Sequence, residues 1–141
     1  MKALTICQPY AHLIVVGDKR VENREWQTRY RGPLLIHAGK SRDWLTTDAA
    51  VPNLVFGAAV GIVDLVDCLH IDTIHDGLHD DRYPWLRGHR HTNGTWCLIL
   101  DNVRRFETPL PWKGAQGFWN FPDAMLPTAS AHVSSRDGVL A

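Results

Sequence analysis

The stretch Val55–Ile71, VFGAAVGIVDLVDCLHI, is the most strand-like run in the chain. It is nearly continuous in apolar and β-branched residues, broken by Gly57 and Gly61 and punctuated near its end by Asp64 and Asp67. Glycines inside such a run mark bends or bulges, which re-aim a long strand and curl a sheet into a small barrel. Outward from it, Trp96–Arg105 (WCLILDNVRR) predicts a second, central strand. Leu34–Ala38 predicts another after the Gly32-Pro33 break, and Ala3–Cys7 a short first one. Val21–Trp26 alternates residue by residue, placing Glu22, Arg24 and Trp26 on one face and Val21 and Asn23 on the other. Phe118–Phe121 is an aromatic closing segment.

Helical signals are few. Pro9 opens a helix at a position where its missing N–H costs nothing, and Gly17 stops it. A second helix is predicted from Ser41 to about Ala50, capped by Ser41, with Asp43 in its first turn and Trp44 and Leu45 as its apolar stripe. Asp72–Thr92 reads as a long, solvated, flexible connection. The sum is an α+β domain built on a small curved β-barrel with two or three short helices. Residues 1–122 form that domain. Residues 123–141 form a partly disordered C-terminal extension, loose from Ser130 onward.

Composition sets the class. With 141 residues the chain holds one domain with a core, and its 45% apolar and 21% charged content is that of a globular protein. No apolar run approaches the roughly 20 residues that span a bilayer, and the N-terminus lacks a signal-peptide pattern, so the expected location is cytoplasmic. Cys7, Cys68 and Cys97 lie far apart in apolar runs and read as small buried hydrophobes. Net charge is zero but segregated: +5 over residues 1–42, −8 over 43–81 and +3 over 82–141. If the first and last portions meet, one face is basic and orients a polyanion; the alternative is that the segments neutralise each other.

The polar stretch Gly17–Gly39 lies between apolar elements, so its backbone is anchored while its side chains stay available. It carries Lys19, Arg20, Arg24, Arg29 and Arg31, the carboxylate Glu22, the aromatics Trp26 and Tyr30, and, after Leu34-Leu35-Ile36, His37. These types suit a cationic cleft for a nucleotide or nucleic acid. Lysine offers phosphate a point charge and arginine a fork. Glu22 can accept from an exocyclic amino group such as that of cytosine. Trp26, Tyr30 and Trp119 can stack on unpaired bases. His37 reads either as facing this cleft or as a core histidine. The bland alternative for Glu22 and Arg24 is a neighbouring ion pair.

Gly17–Arg24 fits G-x-K-x-x-E-x-R, with Gln8-Pro9-Tyr10-Ala11 before it and Arg29-Tyr30-Arg31-Gly32-Pro33-Leu34 and Gly117-Phe118-Trp119-Asn120 after it. In these features the chain resembles the ASCH domain family, related to the PUA fold, over roughly residues 3–121. The resemblance implies a PUA-like barrel that binds RNA, other single-stranded nucleic acid or a modified nucleoside, with Lys19, Glu22 and Arg24 lining a cleft between the first helix and the barrel. It also implies a rival. Some relatives are amidohydrolases of N4-acetylcytidine using a Lys, a Thr and a Glu; Lys19 matches the first, but Glu22 stands where the Thr would be and cannot act as a hydroxyl nucleophile. A ribonuclease reading would use Lys19, Arg24 and His37. A third alternative is a protein-interaction domain using the acidic middle segment. No cofactor is implied. His75 and His79 have the i, i+4 spacing of a zinc pair, but their segment has no periodicity to hold a rigid helix, so no metal site is expected.

Overall fold

The computed structural model describes residues 1–45 and 53–127. In chain order the elements are β1 (Lys2–Ile6), α1 (Tyr10–Val15), β2 (Val21–Arg24), β3 (Gly32–Ala38), β4 (Ala58–His70), α2 (Ile71–His75), β5 (Trp96–Pro111) and β6 (Phe118–Asn120), followed by a 3₁₀ turn at Asp123–Met125. The strands form one sheet in the order β2-β5-β4-β3-β1-β6. Among the described residues only β1 and β3 run parallel; every other pair is antiparallel. The sheet curls into a half-barrel with α1 packed on it, the α+β architecture expected from the alternation of short strands.

The curl originates in the long β4–β5 ladder. Register shifts fall between Ala59 and Gly61, Ile62 and Asp64, and Leu65 and Asp67, and β3 carries another at Ile36/His37. Each shift adds local twist, so a long strand bends through the barrel instead of extending past it. Gly61 sits at the first bend for a steric reason. A Cβ there would lie 2.8 Å from the Arg104 carbonyl oxygen and 3.0 Å from Val15 Cγ1, so only a glycine lets both β5 and α1 approach.

Three apolar clusters hold the fold. The largest lies under α1, where Ala11, Ile14 and Val15 meet Leu34, Ile36, Val60, Val63 and Leu98. A second, around Leu35, Ile62, Phe106 and Phe121, occupies the other face of the sheet. A third, Val21, Ile74, Leu86, Cys97 and Ile99, seals the end of β2 and β5. The third corrects the reading of residues 72–92 as a loose connection. This segment opens with α2 and continues as successive turns, with Ile74 and Leu86 buried and backbone bonds at Tyr83, Leu86, His89 and Thr92. Its polar composition had hidden the two apolar residues that pin it down.

The helix expected over 41–50 does not start at Ser41: residues 41–45 form a turn closed by the Leu45 N–H on the Arg42 carbonyl, and 46–52 lie outside the described residues. Residues just past 122 are tied to the domain. The N-terminal ammonium pairs with the Asp123 carboxylate, and Leu126 packs on the second cluster. The tail from Ser130 lies outside the described residues.

The close approach at Gly61 is testable. Gly61→Ala should lower the unfolding free energy by about 1–3 kcal/mol, since the added methyl must displace backbone on one side or Val15 on the other. A urea titration would show this as an earlier midpoint with an unchanged slope.

Candidate functional site

Helix α1 ends in a Schellman turn. Gly17 takes φ +89°, its N–H bonds the Ile14 carbonyl at 3.0 Å, and the Asp18 N–H reaches back to the Leu13 carbonyl at 3.0 Å. The Lys19 N–H shares that Leu13 carbonyl, so the chain doubles back and Lys19 turns inward. The Lys19 side chain is 3% exposed. Its ammonium donates to the Val21 carbonyl, lies 3.2 Å from Glu22 Oε1, and is covered by the Tyr10 ring at 5.6 Å.

The two-residue period of β2 places Glu22 and Arg24 on one face, as the alternation predicts. Glu22 Oε2 accepts from Arg24 Nε at 3.0 Å and Nη2 at 2.9 Å. Glu22 thus bridges two cations, and the expected neighbouring ion pair is one half of a buried triad. Arg24 Nη2 also donates to the Thr5 carbonyl at 3.0 Å, and the guanidinium lies 6.0 Å from the Trp26 ring. Arg24 remains partly exposed, so the triad is solvent-facing at one end and dry at the other. Burial pushes the Lys19 amine below its usual value, the Glu22 carboxylate opposing that shift and Arg24 adding to it.

His91 completes the surroundings. It is buried, its ring 6.3 Å from Tyr10, and its pKa is lowered by burial and by Lys19 and Arg90, against the opposing pull of Asp18 and Glu22. From it a run of rings continues through His89 to Trp85, at 5.5 and 5.4 Å, and Arg20 stacks on Trp85 at 3.8 Å. The Arg20 N–H donates to His89 Nε2 at 3.1 Å. These histidines come from the segment read from sequence as solvated, and nothing in their spacing signalled that they would meet Lys19.

Other predicted residues lie elsewhere. Arg31 reaches Asp67 of β4 at 3.5 Å and bonds the Thr28 and Tyr30 carbonyls. Arg29 is exposed and takes no part in the triad. Trp26 and Tyr30 both pack edge-on against Phe118, at 5.0 and 6.0 Å, so their rings are engaged in closing the barrel. His37 is 1% exposed and does not face a cleft. Its Nε2 lies 2.7 Å from the Trp112 carbonyl, which can only accept, so Nε2 carries the proton and Nδ1 accepts from the Thr5 hydroxyl at 3.1 Å. That hydroxyl in turn accepts from the Trp119 indole at 3.0 Å. Of the histidine pair once weighed for zinc, His75 is exposed and His79 bonds the Thr73 hydroxyl at 2.8 Å.

Four of the described arginines pair with the acidic middle segment: Arg31 and Arg82 with Asp67, Arg104 with Asp64, Arg87 with Asp80. To that extent the first and last portions of the chain meet the acidic middle segment as ion pairs. Of Lys19, Glu22, Arg24, Arg29 and Arg31, the first three come together in the triad, Arg31 lies at Asp67 of β4, and Arg29 is exposed. A hollow of about 130 Å³ touches Lys19 and Arg20 together with Gly17 and residues 100–103. A larger one, of about 550 Å³, lies between α1 and the barrel and is lined by none of the five.

Two outcomes follow for stability. Glu22→Ala leaves Lys19 buried with its carboxylate gone and should cost about 3–5 kcal/mol in a denaturant titration, whereas Arg29→Ala should cost under about 0.5 kcal/mol. Burial lowers the His37 pKa below 6.5, so the unfolded chain binds the proton more readily. The contribution of His37 is present above pH 6.5 and lost as pH falls through its folded value. Plotted against pH, the stability of His37→Gln should fall less steeply below 6.5 than that of the parent.

An ASCH domain sequence model matches residues 4–109. Activating signal cointegrator 1 of Mus musculus is 30% identical over 131 residues, covering 82% of this chain and 21% of that protein; its Homo sapiens counterpart is 29% identical with the same coverage. The chain thus spans about a fifth of the length of these relatives. The crystal structure of ASCH from Zymomonas mobilis superposes with a TM-score of 0.55 at 13% identity, over 87% of this chain and 88% of that one. A single-substitution variant of that protein gives 0.53 at 14%, over 86% and 90%. At such identities the likeness speaks for the fold, a PUA-like curled barrel. Sequence match and fold together place this chain in the ASCH domain family.

Proposed function

We propose that this domain binds single-stranded RNA, or a modified nucleotide within it, at the surface end of the Lys19–Glu22–Arg24 triad. The observation that carries the reading is the fixing of Arg24 from two sides. Glu22 holds Nε and Nη2, the Thr5 carbonyl also takes Nη2, and the outer part of the guanidinium stays open to solvent. An arginine oriented in this way offers a phosphate a fork whose rotamer entropy is already lost. Lys19 beneath it adds positive charge in a site of low dielectric. Tyr10 and the Arg20–Trp85 stack flank it as surfaces for an unpaired base. The triad holds Arg24 in place, and the part of its guanidinium left open is what a ligand can use. The three unpaired thiols fit a reducing compartment such as the cytoplasm.

A second reading, hydrolysis of an N4-acylated cytidine in the same place, has one observation in its favour: the lowered pKa of Lys19, an amine beside a carboxylate.

Fluorescence anisotropy of labelled single-stranded RNA separates the readings. Binding should weaken with salt at a log–log slope of about −0.7 per phosphate contacted. Arg24→Ala should weaken it tenfold or more, and Arg29→Ala less than threefold. Equal affinity for the parent and Arg24→Ala would exclude this site. Turnover of N4-acetylcytidine that disappears in Lys19→Met, without measurable affinity for long strands, would establish the second reading instead.

A further inference from the structure

The larger hollow lies on the opposite flank of α1 from the triad. Successive helical residues are about 100° apart, so Tyr10 and His12 diverge by about 200°. Tyr10 covers Lys19, and His12 faces the 550 Å³ space between the helix and strands β4 and β5. That volume falls in the range of pockets that take small organic molecules.

The walls are braced by a buried amide. Gln8 is 1% exposed, accepts the His12 N–H on Oε1 at 2.9 Å and donates from Nε2 to the Val55 carbonyl at 2.8 Å. One side chain therefore fixes both the first turn of α1 and the segment leading into β4. The apolar lining comes from Val15, Val55 and Val60, and the polar lining from His12, Arg105 and Glu107. Arg105 and Glu107 are two apart on β5, yet among the described residues Arg105 has no carboxylate within 4 Å. Arg104, its neighbour, is committed to Asp64.

We propose that this hollow is a binding site for a small organic anion, a carboxylate or phosphate monoester carried on a compact apolar or heterocyclic body. Its charge pairs with Arg105 and with His12 in the protonated form, and its body lies against the valines. Glu107 at the rim disfavours highly charged anions and leaves room for a ligand that also carries a donor. Burial and the Arg105 charge both hold the His12 pKa down, opposed by Asp18 from the turn after α1; an anion between the two cations reverses the second effect. Binding then takes up a proton, and affinity rises as pH falls through the pKa of His12 in the complex and levels off below that of the free protein. The site is independent of the triad, since none of its lining residues belongs to it.

The test is a titration of the whole chain with three probes, inorganic phosphate, benzoate and cytidine 5′-monophosphate, following the His12 ring resonances by NMR. At least one organic anion should bind tenfold or more tightly than inorganic phosphate, and the His12 pKa should rise on saturation. Benzoate alone would identify the source as a free carboxylate; the nucleotide alone would identify a phosphate monoester. Arg105→Ala should weaken binding tenfold or more, Val55→Trp should abolish it by filling the space, and Lys113→Ala should leave it unchanged. Val55→Trp is read only if its spectrum remains that of the folded domain; Arg105, exposed, carries the test in any case. Organic anions that bind no tighter than phosphate, or bind equally to Arg105→Ala, or leave His12 unmoved, would overturn the proposal. Because the lining shares no residue with the triad, anion binding lost in Arg105→Ala with RNA affinity unchanged keeps failure here distinct from failure of RNA binding at the triad.

Discussion

A six-stranded sheet with β2 at one edge and β6 at the other has to bring those edges together to become a barrel, and here one cation spans the gap. Arg24, at the end of β2, donates to the Thr5 carbonyl of β1, although β5, β4 and β3 lie between them in the sheet. Trp26 follows it across and packs on Phe118 of β6. The seam continues on the other side of Thr5, whose hydroxyl joins His37 to Trp119. Closing a sheet this way leaves exposed edges short, which protects them from pairing with other chains. It also explains why so many polar residues gather in one place: the seam cannot be completed by backbone ladder bonds, so side chains supply the missing partners.

The charges at the seam follow from that constraint. A guanidinium that reaches across needs a carboxylate to hold its other edge, and Glu22 provides it from two residues back on the same face. Glu22 in turn faces the interior, where a lone carboxylate would be costly, and Lys19 offsets it from the end of the Schellman turn. Each member is explained by the one before it. The triad is therefore structural in origin, and its value for recognition comes from the part of Arg24 that the seam does not use.

How much of this could be read beforehand depended on whether the signal was local. The alternation of Val21–Arg24 gave the shared face of Glu22 and Arg24, and Gly17 gave the helix stop, because both are set within a few residues. β5 runs on to Pro111, beyond the expected Arg105, because Leu110 and Pro111 continue the ladder against Ala59 and Ala58 of β4. The partners of Arg31, His37 and His91 were not legible at all. Asp67, Trp112 and Lys19 lie far from them in sequence, and only the curl of the sheet decides which of several similar residues they meet. Polar composition misled most over residues 72–92, where two buried aliphatic residues outweigh a majority of polar ones.

The pairing of four arginines with the acidic middle segment bears on what sort of recognition this fold can support. Electrostatic capture needs many uncommitted cations spread over a face, and a ligand held in that way loses affinity steeply with salt. In this chain Asp64, Asp67 and Asp80 take up Arg104, Arg31, Arg82 and Arg87, which thins that field. What stays available is positional: a guanidinium clamped at the seam, and a second one beside a histidine over an apolar hollow. Sites of that kind discriminate by shape and by where the donors point, since a misplaced acceptor gains little from a weak surrounding field. Discrimination of this kind acts on the one or two ligand groups that reach the clamped guanidinium, whatever the charge around it.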